Sequence, residues 1–499
     1  MAQTEPSQQP GTATPDPARW RILAIIAVAQ LMVVLDASIV NLALPSAKAD
    51  LGISDANQQW IVTAYTLTFG GFLLLGGRIA DYWGRKRAFI AGLLGFAAAS
   101  ALGGIATGGA MLFAARGLQG CFGALLAPAA LSLLTVTFHD PKERAKAFGV
   151  YGAIAGGGAA IGLLLGGVLT EYASWRWCLL VNVPIAVVTA AIALPIVKES
   201  KATGDTTYDI PGAVTVTGGL IALVYAFTQA APTGPEDTSH WIEASTLLWF
   251  GLAAVLLVAF FVIENRSSSP LLPMRVLLER NRGGSYLVSL LIGIGLFAMF
   301  LFLSLYMQIV LGYSPIKAGF AFLPFSIGII LTAGVAANLL PKIGPKPLMV
   351  PGSLLGAAGL VWLSLITTDS AYLTQILPPM IMLSVGMALV FIPLASTALH
   401  GVGSHDAGVG SALINTTQQI GGSLGTALLN TVATTATAGY LASNAALGEA
   451  AVPAALTYGY ARAFLIGSAF LLVAAVVAAT FLNIGKEAAS EDGFPVAAA

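Results

Sequence analysis

A chain of 499 residues has the length of about three soluble domains at roughly 150 residues each, yet 9% of it is charged and 57% is hydrophobic. A soluble domain carries roughly 25% charged residues, so lipid must cover much of this surface. Lys plus Arg and Asp plus Glu are 23 each, and the zero net charge favours neither nucleic acid nor an acidic partner.

Residues 1–18 are polar and contain proline, with no basic start ahead of an apolar run, so they read as a disordered tail before a retained first helix and not as a cleaved signal. A spanning helix needs about 20 mostly apolar residues. Fourteen such runs follow, near 20–43, 58–78, 88–107, 109–137, 147–170, 177–197, 210–230, 245–263, 285–311, 318–340, 347–366, 373–398, 408–435 and 460–483. The predicted fold is therefore an all-α polytopic membrane protein. An even number of spans puts both termini on one side. Lys and Arg crowd that side, while the opposite loops hold only Lys48, Arg176, Lys317 and Arg462, so the termini are predicted to be cytoplasmic.

The loop after the second run reads DYWGRKR, and the loop after the tenth reads PKIGPKP, with Gly84 matching Gly344 and Lys86 matching Lys346. Duplicated halves are common in secondary transporters. The pairing predicts six-helix halves at 19–197 and 284–484, a linker with two inserted helices at 198–283, and a cytoplasmic tail at 485–499.

Two formal charges fall deep inside the runs, Asp36 and Arg116. Such a residue costs about 2.5–3.5 kcal/mol at the bilayer centre on insertion scales, so it faces a cavity or a partner. A proton site and a fixed ion pair joining two helices are both consistent with them. Met32, Asp36 and Val40 align at a spacing of four, which flanks the acid with apolar groups. Arg116, Gln119, Gly120 and Gly123 share one helix face. In the fifth run, Gly158, Gly162 and Gly166 form a stripe that lets another helix approach closely. The thirteenth run carries Asn415, Gln418 and Gln419 along one face. With Met32, Gln119 and Gln308, these are the candidate lining of a substrate cavity.

The segment GGRIADYWGRKR sets Asp81 among Arg78, Arg85, Lys86 and Arg87, which supports a charge latch between helix ends beyond its topogenic role. His139, His240, His400 and His405 fall in loops or at run ends, and Cys121 and Cys178 sit inside apolar runs. No metal site, histidine relay or disulfide framework is expected from them.

These segments resemble the major facilitator superfamily and, within it, the fourteen-helix drug:proton antiporter family, over roughly Arg19 to Ile484. The resemblance rests on LDASIVNLALP (Leu35–Pro45), GGRIADYWGRKR, RGLQG (Arg116–Gly120), SWRWCLLVNVP (Ser174–Pro184) and YMQIVLGYSPIKAGFAFLP (Tyr306–Pro324). It implies two six-helix halves plus two inserted helices. Proton-driven export of lipophilic drugs or antibiotics by alternating access follows from it, without a cofactor and by a monomer. It places proton coupling at Asp36, proton transfer at Arg116, and a gate at Gly77, Asp81, Gly84 and Arg85. Two departures stand out. The family's helix 5 motif has Gly-Pro, two residues and Gly-Gly, whereas this chain reads GLLLGG with Leu163 in place of proline. Relatives often have a basic residue near Gln418, which is absent here.

Three other readings make different demands. A proton-coupled importer of a small polar nutrient calls for more charged or amide groups in the spans. A polytopic membrane enzyme calls for a nucleophile–base pair or a metal cluster, and no H-E-x-x-H helix is found. A non-transporting sensor with this architecture is separated by substrate movement in vesicles.

Overall fold

Each of the fourteen apolar runs is met by a helix in the computed structural model, which describes residues 18–483 except 139, 202–208, 233–238, 268–269, 273 and 400–406. The predicted tails, apart from Ala18, and His139, His400 and His405 lie outside the described residues. The first half contains α1 (Arg19–Leu51), α2 (Trp60–Trp83), α3 (Arg85–Gly104), α4 (Gly109–Thr137), α5 (Pro141–Tyr172) and α6 (Trp177–Ile196). The predicted inserted pair is α7 (Ile210–Ala230) and α8 (Ala244–Arg266). The second half contains α9 (Arg280–Val310), α10 (Pro315–Ile343), α11 (Lys346–Leu363), α12 (Tyr372–Ala398), α13 (Ala407–Ser443) and α14 (Val452–Phe481). Among the described residues, twelve helices are long and apolar enough to cross a membrane. The other two, α5 and α13, run for 32 and 37 residues; hydroxyl and amide side chains dilute α13.

Lipid offers helices little hydrophobic reason to associate, so close backbone packing and polar contacts must supply it. Glycine provides the approach at the tightest crossings. A Cβ on Gly120 would lie 2.3 Å from the Tyr65 carbonyl oxygen, and one on Gly76 would lie 2.1 Å from that of Ala124, which locks α2 to α4. The stripe Gly158, Gly162 and Gly166 packs on α1, meeting Val34, Ser38 and Ile39 respectively. Its partner is therefore the helix that carries Asp36.

The repeat inferred from the two loops has a backbone counterpart. Gly84 at the α2–α3 corner has φ 128°, and Gly344 at the α10–α11 corner has φ 81°. Both values favour glycine, because a Cβ is crowded by the following carbonyl there.

Among the described residues, the hydrogen bonds that cross between the halves lie in the part of the bundle remote from the chain termini. Glu171 accepts the Ile316 amide at 2.9 Å, and Ser304 donates to the Asn41 carbonyl at 2.9 Å. Gln58 donates to Asn430 at 3.2 Å, and the hydroxyls of Thr66 and Ser423 stand 2.7 Å apart. Leu163 belongs to the apolar cluster filling this seal, at 1% exposure, and its carbonyl oxygen would lie 2.9 Å from a Cβ on Gly319 of α10.

This position gives the departure at Leu163 a testable consequence. Proline there would remove an N–H and force its ring against the Ala159 carbonyl, bending α5 where it crosses α10. Spin labels at Tyr172→Cys and Lys317→Cys report the separation of the two helix ends. Leu163→Pro is expected to lengthen or broaden their distance distribution. An unchanged distribution would show that the crossing does not depend on the residue at 163.

Candidate functional site

Asp36 and Arg116 form an ion pair that is 0% exposed on both sides, with Arg116 Nη1 2.6 Å from Asp36 Oδ2. Around it the first half assembles a closed polar cluster. Asp36 Oδ1 accepts from Gln119 Nε2 at 3.0 Å and from Asn182 Nδ2 at 2.8 Å. Gln119 Oε1 accepts from Arg116 Nη1 at 2.9 Å, and Arg116 Nε donates to the Ile61 carbonyl at 2.9 Å. The Ser100 hydroxyl accepts from Gln119 and Asn182 at 2.9 and 3.1 Å and donates to the Leu179 carbonyl at 2.7 Å. The guanidinium also lies 4.5 Å from the centroid of the Tyr65 ring, a cation–π contact. Among the side-chain polar atoms of this cluster, Arg116 Nη2 is the one buried without a hydrogen-bond partner.

The cluster corrects several expectations. Asp36 is not flanked by apolar groups alone, because α4 and α6 bring three donors to it. Gln119 holds this carboxylate, and Met32 is fully buried in the apolar core of the first half, so neither lines a cavity. Gln308 turns to Ser304 Oγ at 2.9 Å, next to the seal between the halves. Three candidate amides remain free of side-chain hydrogen bonds among the described residues: Asn415 is exposed, and Gln418 and Gln419 are half-buried on α13. A Cβ on Gly70 of α2 would lie 3.1 Å from the Gln419 Cβ, so this face of α13 fronts the opposite half.

Ser100 and Asn182 were not singled out by sequence. Asn182 lies within the SWRWCLLVNVP segment, but nothing in its spacing aims it at Asp36. A serine in the small-residue run of α3 carries no signal of its own.

At the α2–α3 corner, Asp81 and Arg85 form a local pair, Nε to Oδ1 at 3.0 Å, that joins the end of one helix to the start of the next. Gly84 sits between them under the Glu199 carboxylate, which a Cβ would approach to 2.6 Å. Glu199 accepts the amides of Lys86 and Arg87 at 3.1 and 3.3 Å, satisfying donors that α3 leaves open at its start. Gly77 is a looser site, its Cβ position 3.5 Å from Pro128. The close approach belongs to Gly76.

Known proteins resemble this chain in sequence and in fold. The chain is 48% identical over 483 residues to the puromycin resistance protein of Streptomyces alboniger, covering 96% of this chain and 94% of the relative. It is 40% identical over 460 residues to the cephamycin export protein of Amycolatopsis lactamdurans, covering 91% of each. Its fold matches the crystal structure of a bacterial homologue of the human lysosomal transporter Spinster with a TM-score of 0.66 at 16% identity, covering 96% of this chain and 99% of that one. The model of the Major Facilitator Superfamily matches residues 26–426, and the chain belongs to that superfamily as a multi-pass membrane protein.

Proposed function

We propose that this protein is a proton-driven exporter of lipophilic, antibiotic-like compounds across the cytoplasmic membrane, with fourteen spans and both termini in the cytoplasm. The observation that carries the mechanism is the Asp36–Arg116 pair, the one fully buried ion pair among the described residues. Relatives named for puromycin resistance and cephamycin export support the substrate class.

In this reading the described conformation is closed toward the outside, and Asp36 is ionised and held by Arg116. A proton reaching Asp36 competes with the guanidinium for Oδ2 and removes the attraction that fixes α1 to α4. The same helix carries Val34, Ser38 and Ile39, against which the glycine stripe of α5 packs. α5 in turn crosses α10 at Leu163 and Gly319. A shift of α1 therefore bears on the seal between the halves, giving alternating access driven by the proton gradient with no bound cofactor. Asn415, Gln418 and Gln419 offer amides to a substrate in the space between the halves, in a protein that works as a monomer.

The test is a compound panel in an efflux-deficient host, with puromycin and other lipophilic antibiotics, with and without a proton-gradient uncoupler. Raised resistance and uncoupler-sensitive drug exclusion are expected. Unaltered susceptibility to every compound, at confirmed expression, contradicts the export reading.

A further inference from the structure

At the end of the bundle that holds the termini, the inserted helices bring together two carboxyl groups that play no part in the Asp36 cluster. Asp209 caps α7, its Oδ1 accepting the Gly212 amide at 2.7 Å. Glu264 stands near the end of α8, its Oε2 accepting the Leu272 amide at 2.9 Å. They are 6% and 3% exposed. Each keeps one buried oxygen without a hydrogen-bond partner, Oδ2 of Asp209 and Oε1 of Glu264. Gly212 makes the room they share. A Cβ there would lie 2.8 Å from Glu264 Oε1 and 2.9 Å from both Cγ and Oδ1 of Asp209. The unpartnered oxygen of Glu264 thus opens onto the space that the Asp209 carboxyl borders.

The cation within electrostatic reach is Arg78 of α2. It makes no ion pair with either acid among the described residues, and its Nη2 donates instead to the Pro270 carbonyl at 2.9 Å. Two carboxylates facing one enclosed space repel each other, and each bare oxygen has lost its water without gaining a donor. One proton on Glu264 removes the repulsion and leaves its bare oxygen without an uncompensated charge. We propose that Glu264, with its unpartnered oxygen beside the Asp209 carboxyl group, is a second proton-binding site that takes one proton from the aqueous phase.

The site is placed to act on the α2–α3 corner. The segment Pro270–Leu272 is held by Arg78 on one side and by Glu264 on the other. Loss of the proton from Glu264 adds a negative charge at this tie between the inserted helices and α2. The inserted pair then has a role of its own, reporting proton occupancy to the helix that carries Gly77 and Asp81.

Infrared spectroscopy of the purified protein at neutral pH tests this directly and does not depend on the export reading. A carboxylic C=O band is expected in the unsubstituted protein. It should be lost in Glu264→Gln and lost or shifted in Asp209→Asn, with folding verified by circular dichroism and gel filtration. If either single variant fails to fold, the double variant Asp209→Asn/Glu264→Gln supplies the subtraction, because it carries neither carboxyl group. Spectra that superimpose in the carboxylic region, for the unsubstituted protein and the folded variants, would overturn the proposal.

Discussion

Replacing Asp36 with asparagine is expected to abolish uphill efflux and also to destabilise the folded protein. Asparagine has nearly the same shape and can still accept from Asn182 and Gln119. It leaves the Arg116 guanidinium, 0% exposed, without a counter-charge. Removing one partner of a buried pair costs about 3–5 kcal/mol, because the surviving charge has neither water nor an opposite charge. The double variant Asp36→Asn/Arg116→Gln removes both charges together and should regain most of the lost melting temperature. It should not regain transport, since nothing at position 36 titrates. Thermal melts in detergent and resistance assays at matched expression separate the two effects. Full resistance in the double variant would reduce the pair to a structural tie.

The second large effect is expected at Gly76, not at its neighbour Gly77. Valine at 76 drives a Cβ to 2.1 Å from the Ala124 carbonyl oxygen, and a backbone atom in the middle of α4 cannot step aside. Overpacking of this kind costs about 1–3 kcal/mol even where side chains can adjust, and here the helices themselves must separate. Folded Gly76→Val protein should fall to a small fraction of the normal yield in the membrane. Gly77→Ala places its Cβ 3.5 Å from Pro128, an ordinary contact, and should accumulate normally. Equal yields of the two variants, measured by fluorescence-detected gel filtration, would contradict the observed α2–α4 crossing.

These two cases mark what was legible before the structure. Charge in a span is costly enough that Asp36 and Arg116 stand out from sequence alone, and their pairing needs only that both find a partner. The neutral groups around them carry no such signal. Asn182 and Ser100 become part of the site only because α3 and α6 fold against α1 and α4. The glycine pair shows the same limit at finer scale. Sequence marks GG at 76–77, but the rotation of α2 against α4 decides which of the two bears the crossing. Span limits were readable where local chemistry sets them. The run 210–230 coincides with α7, which Asp209 caps and Pro211 opens. α1 outlasts its apolar run through Pro45 and polar residues to Leu51, and stops where Gly52 turns left-handed at φ 62°. Hydropathy does not register a helix that continues past the lipid.

The central claim is that Asp36 exchanges a proton for each transport cycle. The most direct measurement reconstitutes the protein in vesicles holding a pH-sensitive dye, imposes a proton gradient, and follows puromycin and proton movement together. The account predicts drug uptake coupled to proton efflux for the unsubstituted protein. In Asp36→Asn/Arg116→Gln it predicts that both fluxes vanish while puromycin binding to the folded protein persists. Coupled exchange that survives in this double variant would contradict the account and place the proton elsewhere.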